Sequence, residues 1–327
     1  MKKSSLKFIV AVLFIAFNSN SLTAQNDITQ ILNAGLDDAK IIGHAYLEPF
    51  GKMVGSSLNG GWYQAAKPHK TLGFNVTLTT SATLTPVDSR SFDVSSLGLD
   101  KIELANPLDN MAPTIAGKVE TGPTMQFKDA SGVQFNLPQG ANLIIMPVPF
   151  IQASIGLPLS TEISVRFLPA VNLGKFGNLN MWGVGVKNQF KDFIPGLKSV
   201  PIDLSIMLGY TKFSYGYDID ASRNQKLALD ASGFTGRILV GKSIPFLSVY
   251  AGLGFSKATT SIGLEGDYQV GQTNNETITD PFILDFPLNS FSANVGARLR
   301  FGVFSIHADY TLGKYPLFAG GVGISFR

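Results

Sequence analysis

Residues 291–301 alternate between apolar side chains and polar or small ones, and this two-residue period constrains the fold more than any other feature. Successive side chains of a β-strand point to opposite faces. One face is therefore apolar from Phe291 to Phe301, while Arg298 and Arg300 lie on the other. The ten-residue step spans roughly 33 Å, and a tilt of about 40° reduces this to about 25 Å, the height of an outer-membrane apolar band. The pattern predicts a wall with lipid on one side and water on the other.

The N-terminus has the layout of an export signal. Three lysines within residues 1–7 precede an apolar stretch at 8–17, and Leu22-Thr23-Ala24 forms a predicted cleavage site. About ten apolar residues are too few to span a bilayer, which argues against the alternative of a membrane anchor. We therefore expect residues 1–24 to be a signal peptide.

The composition excludes several classes of protein. The chain has 26 Lys and Arg residues and 23 Asp and Glu residues, and three of the lysines lie in the signal. The remaining chain is therefore neutral and shows no preference for nucleic acid. Cysteine is absent, which excludes disulfides, thiolate catalysis and Cys-based zinc sites. Charged residues make up only 15%, against about 25% in a typical soluble protein. This favours a lipid-facing β-barrel over a secreted β-sandwich.

Residues 25–70 differ from the rest of the chain because their apolar residues recur at helical spacing. Asp27 and Gln30 can form a capping box, and apolar residues then continue to Ile42. Pro49 is expected to interrupt the helix, and a second short turn is expected before Gly60. We expect a helical segment that either plugs the barrel lumen or lies beneath it in the periplasm.

Two-residue alternation dominates residues 71–327. Residues 85–147 are irregular, and such a long connection is expected to contain a hairpin or two beyond the membrane. Longer and shorter connections alternate, as in outer-membrane barrels, except that 188–201 is long on the short side and 313–315 is short on the long side. We predict an all-β fold: a transmembrane antiparallel β-barrel of roughly ten to fourteen strands with an N-terminal helical segment, in the cell outer membrane. The strand candidates are 72–79, 150–157, 162–168, 180–187, 202–210, 234–241, 247–255, 291–301, 303–312 and 316–326.

The last strand resembles the C-terminal assembly signal of outer-membrane β-barrel proteins. Gly321, Ile324 and Phe326 match its pattern of a glycine, alternating apolar residues and a near-terminal aromatic residue, although Arg327 follows the aromatic. The resemblance implies the barrel assembly machinery as a partner.

Five stretches of the chain carry a resemblance to a known family. They are Ala45-Tyr46-Leu47-Glu48-Pro49-Phe50, Leu58-Asn59-Gly60-Gly61-Trp62-Tyr63, Ala66-Lys67-Pro68-His69-Lys70, Gly183-Val184-Gly185-Val186-Lys187 and Phe193-Ile194-Pro195-Gly196. These stretches resemble an uncharacterised family of outer-membrane proteins from Bacteroidota-type bacteria. The second half also resembles FadL-type transporters in architecture, which implies passage of hydrophobic compounds. No FadL ligand residue can be transferred to a position of this sequence.

No motif predicts an enzyme, a cofactor or a metal site. The three histidines lack the spacing of metal ligands. Ser305, His307 and Asp309 share one strand face but spread over about 13 Å, too far for a catalytic triad. Gly252 and Gly254 precede Lys257 as in a phosphate-binding loop, but this motif lies inside a strand rather than before a helix.

Nine charged or titratable residues are predicted to face the lumen. They could line a polar pore, but we favour a network of ion pairs that fills a narrow barrel. We expect the barrel to pass or bind small hydrophobic compounds, or alternatively to be a structural or interaction barrel with a packed lumen. Outer-membrane lipid is an expected partner. The nine residues are Glu162, Arg166, Lys187, Asp203, Arg237, Arg298, Arg300, His307 and Asp309.

Overall fold

The computed structural model describes residues 36–129, 133–172, 177–197, 199–220, 223–270 and 276–326. The predicted signal peptide and capping box lie outside these ranges. The described chain forms one α-helix and seventeen strands. These are α1 (Leu36–Ser57), β1 (Phe74–Leu84), β2 (Ser91–Asp93), β3 (Ile102–Leu104), β4 (Met111–Pro113), β5 (Thr124–Phe127), β6 (Gln134–Asn136), β7 (Ile145–Leu157), β8 (Thr161–Asn172), β9 (Asn178–Asn188), β10 (Asp203–Asp220), β11 (Gln225–Ser243), β12 (Leu247–Glu265), β13 (Asp267–Val270), β14 (Glu276–Thr279), β15 (Phe282–Phe301), β16 (Phe304–Leu312) and β17 (Leu317–Phe326).

Ten strands close into an antiparallel barrel, which confirms the predicted fold class. Their order around the wall is β1, β7, β8, β9, β10, β11, β12, β15, β16 and β17, and β17 pairs with β1 to close the ring. The count lies at the lower limit of the predicted range.

The two ends of the barrel differ in the length of their connections. At the short-turn end, residues 158–160, 244–246 and 302–303 join neighbouring strands, and the longer connection 189–202 joins β9 to β10. At the long-loop end, residues 85–144 and 266–281 form the longest connections. β1 begins and β17 ends at the short-turn end, where Phe74 pairs with Phe326 and their rings stack 4.9 Å apart.

The outer face of the barrel carries an apolar belt between two groups of aromatic residues. At its lower edge lie the Phe74–Phe326 pair and the register pair of Phe301 and Phe304. Its centre is aliphatic, with Val295 exposed. The upper edge carries outward-pointing aromatic residues on β9–β12 and β15, namely Trp182, Tyr210, Phe234, Phe255 and Phe291.

Four strands continue beyond the belt at the long-loop end. β10, β11, β12 and β15 have 18–20 residues, whereas β16 and β17 have 9 and 10. Above the upper aromatic residues the outer face becomes polar, with Lys212, Lys257 and Asn289 exposed. We call this part, residues 212–220, 225–233, 256–265 and 282–290, the upper wall.

Residues 85–144 form a small domain at the same end, which we call the cap. β2 pairs with β4, and β5 lies between β3 and β6 in a second sheet. The cap therefore contains the strand pairing that its length predicted.

Helix α1 packs between the cap and the upper wall. It runs without a break through Pro49, so the predicted interruption there is wrong. Ile42 is buried with apolar residues of the cap, such as Ile102 and Met125. On the wall side, Met53 and Val54 belong to the same core cluster as Phe286. Packing on two sides holds the helix although its sequence contains a proline. None of the helices in the described ranges has the length and hydropathy required to cross a membrane.

Candidate functional site: a filled lumen

Residues 58–70 follow α1 and occupy the lumen at the level of the apolar belt; we call them the lumen segment. Trp62 is its largest side chain, and it is 2% exposed. A Cβ atom at Gly185 would lie 2.8 Å from its ring, and one at Gly209 would lie 2.5 Å from it. These inward-facing glycines of β9 and β10 make the space that the indole ring fills.

The barrel wall supplies hydrogen-bond donors to the carbonyl groups of the lumen segment. An irregular chain has no ladder of its own, and a buried carbonyl without a donor is costly. Arg166 donates to Leu58 O and Gly60 O at 3.1 Å each. The other donors are Thr211 to Leu58 O (3.1 Å), Gln152 to Trp62 O (3.0 Å), Tyr250 to Tyr63 O (3.3 Å), Lys187 to Ala65 O (3.1 Å) and Ser205 to Ala66 O (2.7 Å).

Arg166 contacts the lumen segment with both its edge and its face. Its guanidinium carbon lies 3.5 Å from the centre of the Trp62 ring and 4.1 Å from that of Phe150. Arginine suits this position because its planar group can donate in its plane and stack on rings above and below it. The arrangement fixes the indole ring between the guanidinium group and the glycines of β9 and β10.

A buried charged cluster ties the lumen segment to the short-turn end. Glu162 accepts hydrogen bonds from the backbone N (2.8 Å) and Nδ1 (2.7 Å) of His69, and Lys187 Nζ lies 3.1 Å from its other oxygen. Ser325 Oγ lies 3.4 Å from His69 Nε2. The cavity lined by His69 and Glu162 measures about 10 Å³, the space for about one water molecule.

This cluster has the connectivity of a Ser–His–Glu triad, but it has no room for a substrate. Ser325 is 3% exposed, and the adjoining cavity of about 10 Å³ admits no acyl group. A nucleophile must reach a carbon atom of the substrate. We therefore interpret the Ser325–His69–Glu162 contacts as a structural tie.

A second polar cluster lies on the opposite side of the lumen segment. Tyr63 Oη donates to Asn294 Oδ1 at 2.7 Å, and its ring packs edge-on against Tyr250, with the ring centres 5.4 Å apart. Tyr250 Oη also lies 3.4 Å from Asp309 Oδ2. Arg237 interacts electrostatically with both Tyr63 and Asp309. These contacts hold the segment against β11, β12, β15 and β16.

The structure brings three of the nine predicted residues into hydrogen bonds with the lumen segment. Glu162, Arg166 and Lys187 contact it directly. His307 lies 3.2 Å from Thr79, in a different direction from Asp309, which meets Tyr250. Ser305, His307, Asp309, Asp203 and Arg237 are buried, and Arg298 and Arg300 are partly buried.

The C-terminal signal residues divide between the two faces of β17. Ile324 and Phe326 are each 43% exposed on the outer face. A Cβ atom at Gly321 would lie 2.2 Å from Leu78 O and 2.9 Å from His307, so only glycine fits there without a shift. Their role in assembly stays a prediction.

Sequence reasoning missed the partners that hold the lumen segment. Gln152, Ser205 and Tyr250 are isolated polar residues in strands whose side chains alternate between the two faces. Each donates a hydrogen bond to a carbonyl group 90 to 187 positions away in the sequence. The inward glycines at 185 and 209 were a usable signal, because a strand weakens where side chains are missing unless another group fills the space. Within the described residues, no group of three or more acidic or histidine side chains could hold a metal ion.

The comparisons with known proteins identify a family and several barrels. The model of a family of unknown function (DUF6588) matches residues 1–326. No curated protein sequence matches the chain. Among solved structures, the chain is similar to the translocator domain of the autotransporter NalP from Neisseria meningitidis (TM-score 0.29, 11% identity), covering 89% of this chain and 98% of that one.

Two further structures show a comparable level of similarity. The transport unit of the autotransporter AIDA-I from Escherichia coli gives a TM-score of 0.30 at 9% identity, covering 86% of this chain and 99% of that one. The attachment invasion locus protein Ail of Yersinia pestis gives a TM-score of 0.27 at 8% identity, covering 78% of this chain and 97% of that one. TM-scores this low carry no argument about function. None of these three structures is a FadL-type transporter, and that resemblance stays a prediction.

Proposed function

We propose that this chain, which belongs to the family of unknown function DUF6588, is an outer-membrane β-barrel that seals its own lumen and carries an interaction domain on the cell surface. The observation that carries the proposal is the lumen segment, whose buried carbonyl groups are bonded by side chains of the wall. The cap, α1 and the upper wall form the surface domain.

The outer face of the barrel supports the membrane location. An aliphatic belt bounded by aromatic residues on both edges suits a bilayer with its two interfaces. Phe291 and Val295 are 82% and 62% exposed, which would be costly in water for residues of a well-packed strand. Outer-membrane barrels have long external loops and short periplasmic turns, so the long-loop end with the cap faces outward in this proposal.

The position of the cap supports an interaction role. The cap lies at the long-loop end of the barrel, which faces outward in this proposal. A folded domain at that end is available to another macromolecule outside the cell. The proposal retains the predicted non-enzymatic character and the barrel assembly machinery as the partner of β17.

The alternative is passage of small hydrophobic compounds. It requires the lumen segment to leave its place, because Trp62 and its contacts fill the lumen at the level of the belt. Movement would break the hydrogen bonds from Arg166, Gln152 and Lys187 and leave charged groups without partners in the interior. Such an uncompensated buried charge costs several kcal/mol.

A disulfide lock separates the two functions. Ser57 Oγ lies 2.7 Å from Thr83 Oγ1, so the variant Ser57→Cys/Thr83→Cys can join α1 to β1. The chain has no other cysteine that could compete. The variant is reconstituted in liposomes, and entry of a small hydrophobic dye is measured with and without reductant, beside wild type and protein-free liposomes.

The proposal predicts that wild type and both forms of the locked variant match the protein-free background. Dye entry through the wild type that disappears in the oxidised variant and returns on reduction would establish transport instead. Recovery of the native chain with the inner-membrane or soluble fraction, rather than the outer membrane, would contradict the proposed location.

A further inference from the structure

The direction of the segment that precedes β1 can be followed residue by residue against β1. Leu72 N donates to Gly156 O at the short-turn end (2.8 Å). From there, Gln64 meets Thr77, Gly60 lies against Ser81, Ser57 meets Thr83 and Met53 meets Thr85. Each step backward along the segment is therefore a step up β1 toward the long-loop end.

Helix α1 continues the same path beyond the belt. Its 22 residues span about 33 Å at 1.5 Å per residue. Gly51 O accepts a hydrogen bond from Thr260 in the upper wall at 2.8 Å. Near the start of the helix, Ala39 packs with Ile278 and Phe282, at the top of the barrel.

The start of α1 is fixed to the cap by a buried carboxylate. Asp38 is 2% exposed and accepts hydrogen bonds from the backbone N of Asp100 (2.8 Å), Lys101 (2.8 Å) and Ile102 (3.2 Å). The neighbouring Asp37 is exposed to solvent. The first turn of the helix is thus bonded to the cap and lies at the opposite end of the barrel from the start of β1.

We infer that the chain ahead of β1 crosses the outer membrane inside its own barrel, so that Asp37 lies on the cell surface although β1 starts at the periplasmic end. The inference rests on the proposed function for the orientation of the barrel. Beyond the proposed function, the inference adds that the chain crosses the membrane once inside the lumen, ahead of β1, the first strand of the barrel wall.

The geometry also orders the assembly. An α-helix with its side chains is about 10–12 Å wide, and the lumen is packed around residues 58–70. We therefore expect the segment to reach the outer end while the barrel is open, and the pairing of β17 with β1 to close the wall around it.

Single cysteines test this path because the natural chain has none. The variants are Asp37→Cys at the start of α1, Leu108→Cys in the cap (92% exposed) and Leu159→Cys in a short turn (75% exposed). A membrane-impermeant maleimide dye is added to intact cells and, in parallel, to cells whose outer membrane has been permeabilised. Lys40→Cys, one helical turn on, replaces Asp37→Cys if that variant does not fold.

We expect Asp37→Cys and Leu108→Cys to be labelled equally in intact and permeabilised cells, and Leu159→Cys to lose its labelling in intact cells. If Leu108→Cys is labelled in intact cells but Asp37→Cys requires permeabilisation, the inferred path is wrong while the surface cap stands. If Leu159→Cys is labelled in intact cells and Leu108→Cys is not, the barrel is reversed, and both the path and the proposed surface display are wrong.

Discussion

At the scale of single residues, the packing of the lumen depends on positions where a side chain is missing. Gly209 of β10 faces the Trp62 ring, and an added Cβ atom there would lie 2.5 Å from it. Gly216 lies seven residues further along the same strand, and a Cβ atom there would meet nothing within 4 Å. A side chain at position 209 would therefore collide with Trp62, whereas position 216 has room for one.

Gly209→Ala is expected to destabilise the barrel because the indole ring, held by Arg166, cannot move aside. Overpacking of this kind costs about 1–3 kcal/mol. The detergent-solubilised barrel is incubated with increasing denaturant and run on a gel without boiling. The measurement is the denaturant concentration at which half of the protein has lost its fast migration. Gly216→Ala is the matched control and should leave the midpoint unchanged. Equal midpoints for both variants would show that Trp62 does not occupy this place.

At the scale of elements, helix α1 joins the cap to the wall. Two adjacent aspartates, Asp37 and Asp38, allow this contact to be tested separately from the stability of the helix itself. Asp37 and Asp38 both lie in the first turn, where negative charge favours a helix. Only Asp38 accepts hydrogen bonds from the cap.

Asp38→Asn should release the cap, because a neutral amide replaces a carboxylate that binds three backbone N–H groups. Hydrogen bonds to a charged group contribute about 1.5–3 kcal/mol. We expect limited proteolysis to cut the cap faster in Asp38→Asn than in wild type, while Asp37→Asn stays at the wild-type rate. Faster cutting in both variants would assign the effect to the helix rather than to its contact with the cap.

Strand β15 crosses from the belt into the upper wall, and the two parts should respond differently to charge. Val295 and Asn289 point outward from the same strand. An arginine at the level of the bilayer midplane costs about 2–4 kcal/mol, against about 0–1 kcal/mol near an interface. Val295→Arg should therefore reduce folding into liposomes far more than Asn289→Arg. Similar folding yields would mean that the belt is misplaced.

The sequence allowed the strands to be predicted but not the contents of the lumen. Alternation between faces is a local property, so residues 291–301 reveal a strand without knowledge of their neighbours. The lumen segment has no such period. Its path depends on side chains such as Gln152 and Tyr250, which lie 90 and 187 positions away. The interruption predicted at Pro49 was wrong because packing on two sides of the helix outweighs the local tendency of proline to end it.

The charged residues show the same limit. Alternation placed Glu162, Arg166 and Lys187 on the inner face, but it could not say whether they would meet water or protein. In the structure, these three side chains bind protein: Arg166 and Lys187 donate to carbonyl groups of residues 58–65, and Glu162 accepts from the backbone of His69. Three of the predicted lumen-facing charges therefore act, together with uncharged donors such as Gln152 and Ser205, as the hydrogen-bond partners that hold the segment in place.

At the scale of the whole molecule, one chain supplies both the wall and the material that fills it. The barrel closes through β1 and β17, while the lumen segment enters ahead of β1 and is bonded to strands all around the ring. The upper wall, α1 and the cap then form a domain on one end. In the proposed orientation, this organisation places a surface domain on a barrel whose lumen is filled.

The most direct test of the sealed lumen is ion conductance across a planar lipid bilayer containing the purified wild-type protein. We predict no conductance steps, because Trp62, Arg166 and their partners fill the lumen at the level of the belt. Insertion is verified by the gel shift of the same preparation between boiled and unboiled samples. Regular conductance steps from inserted, folded protein would contradict the account.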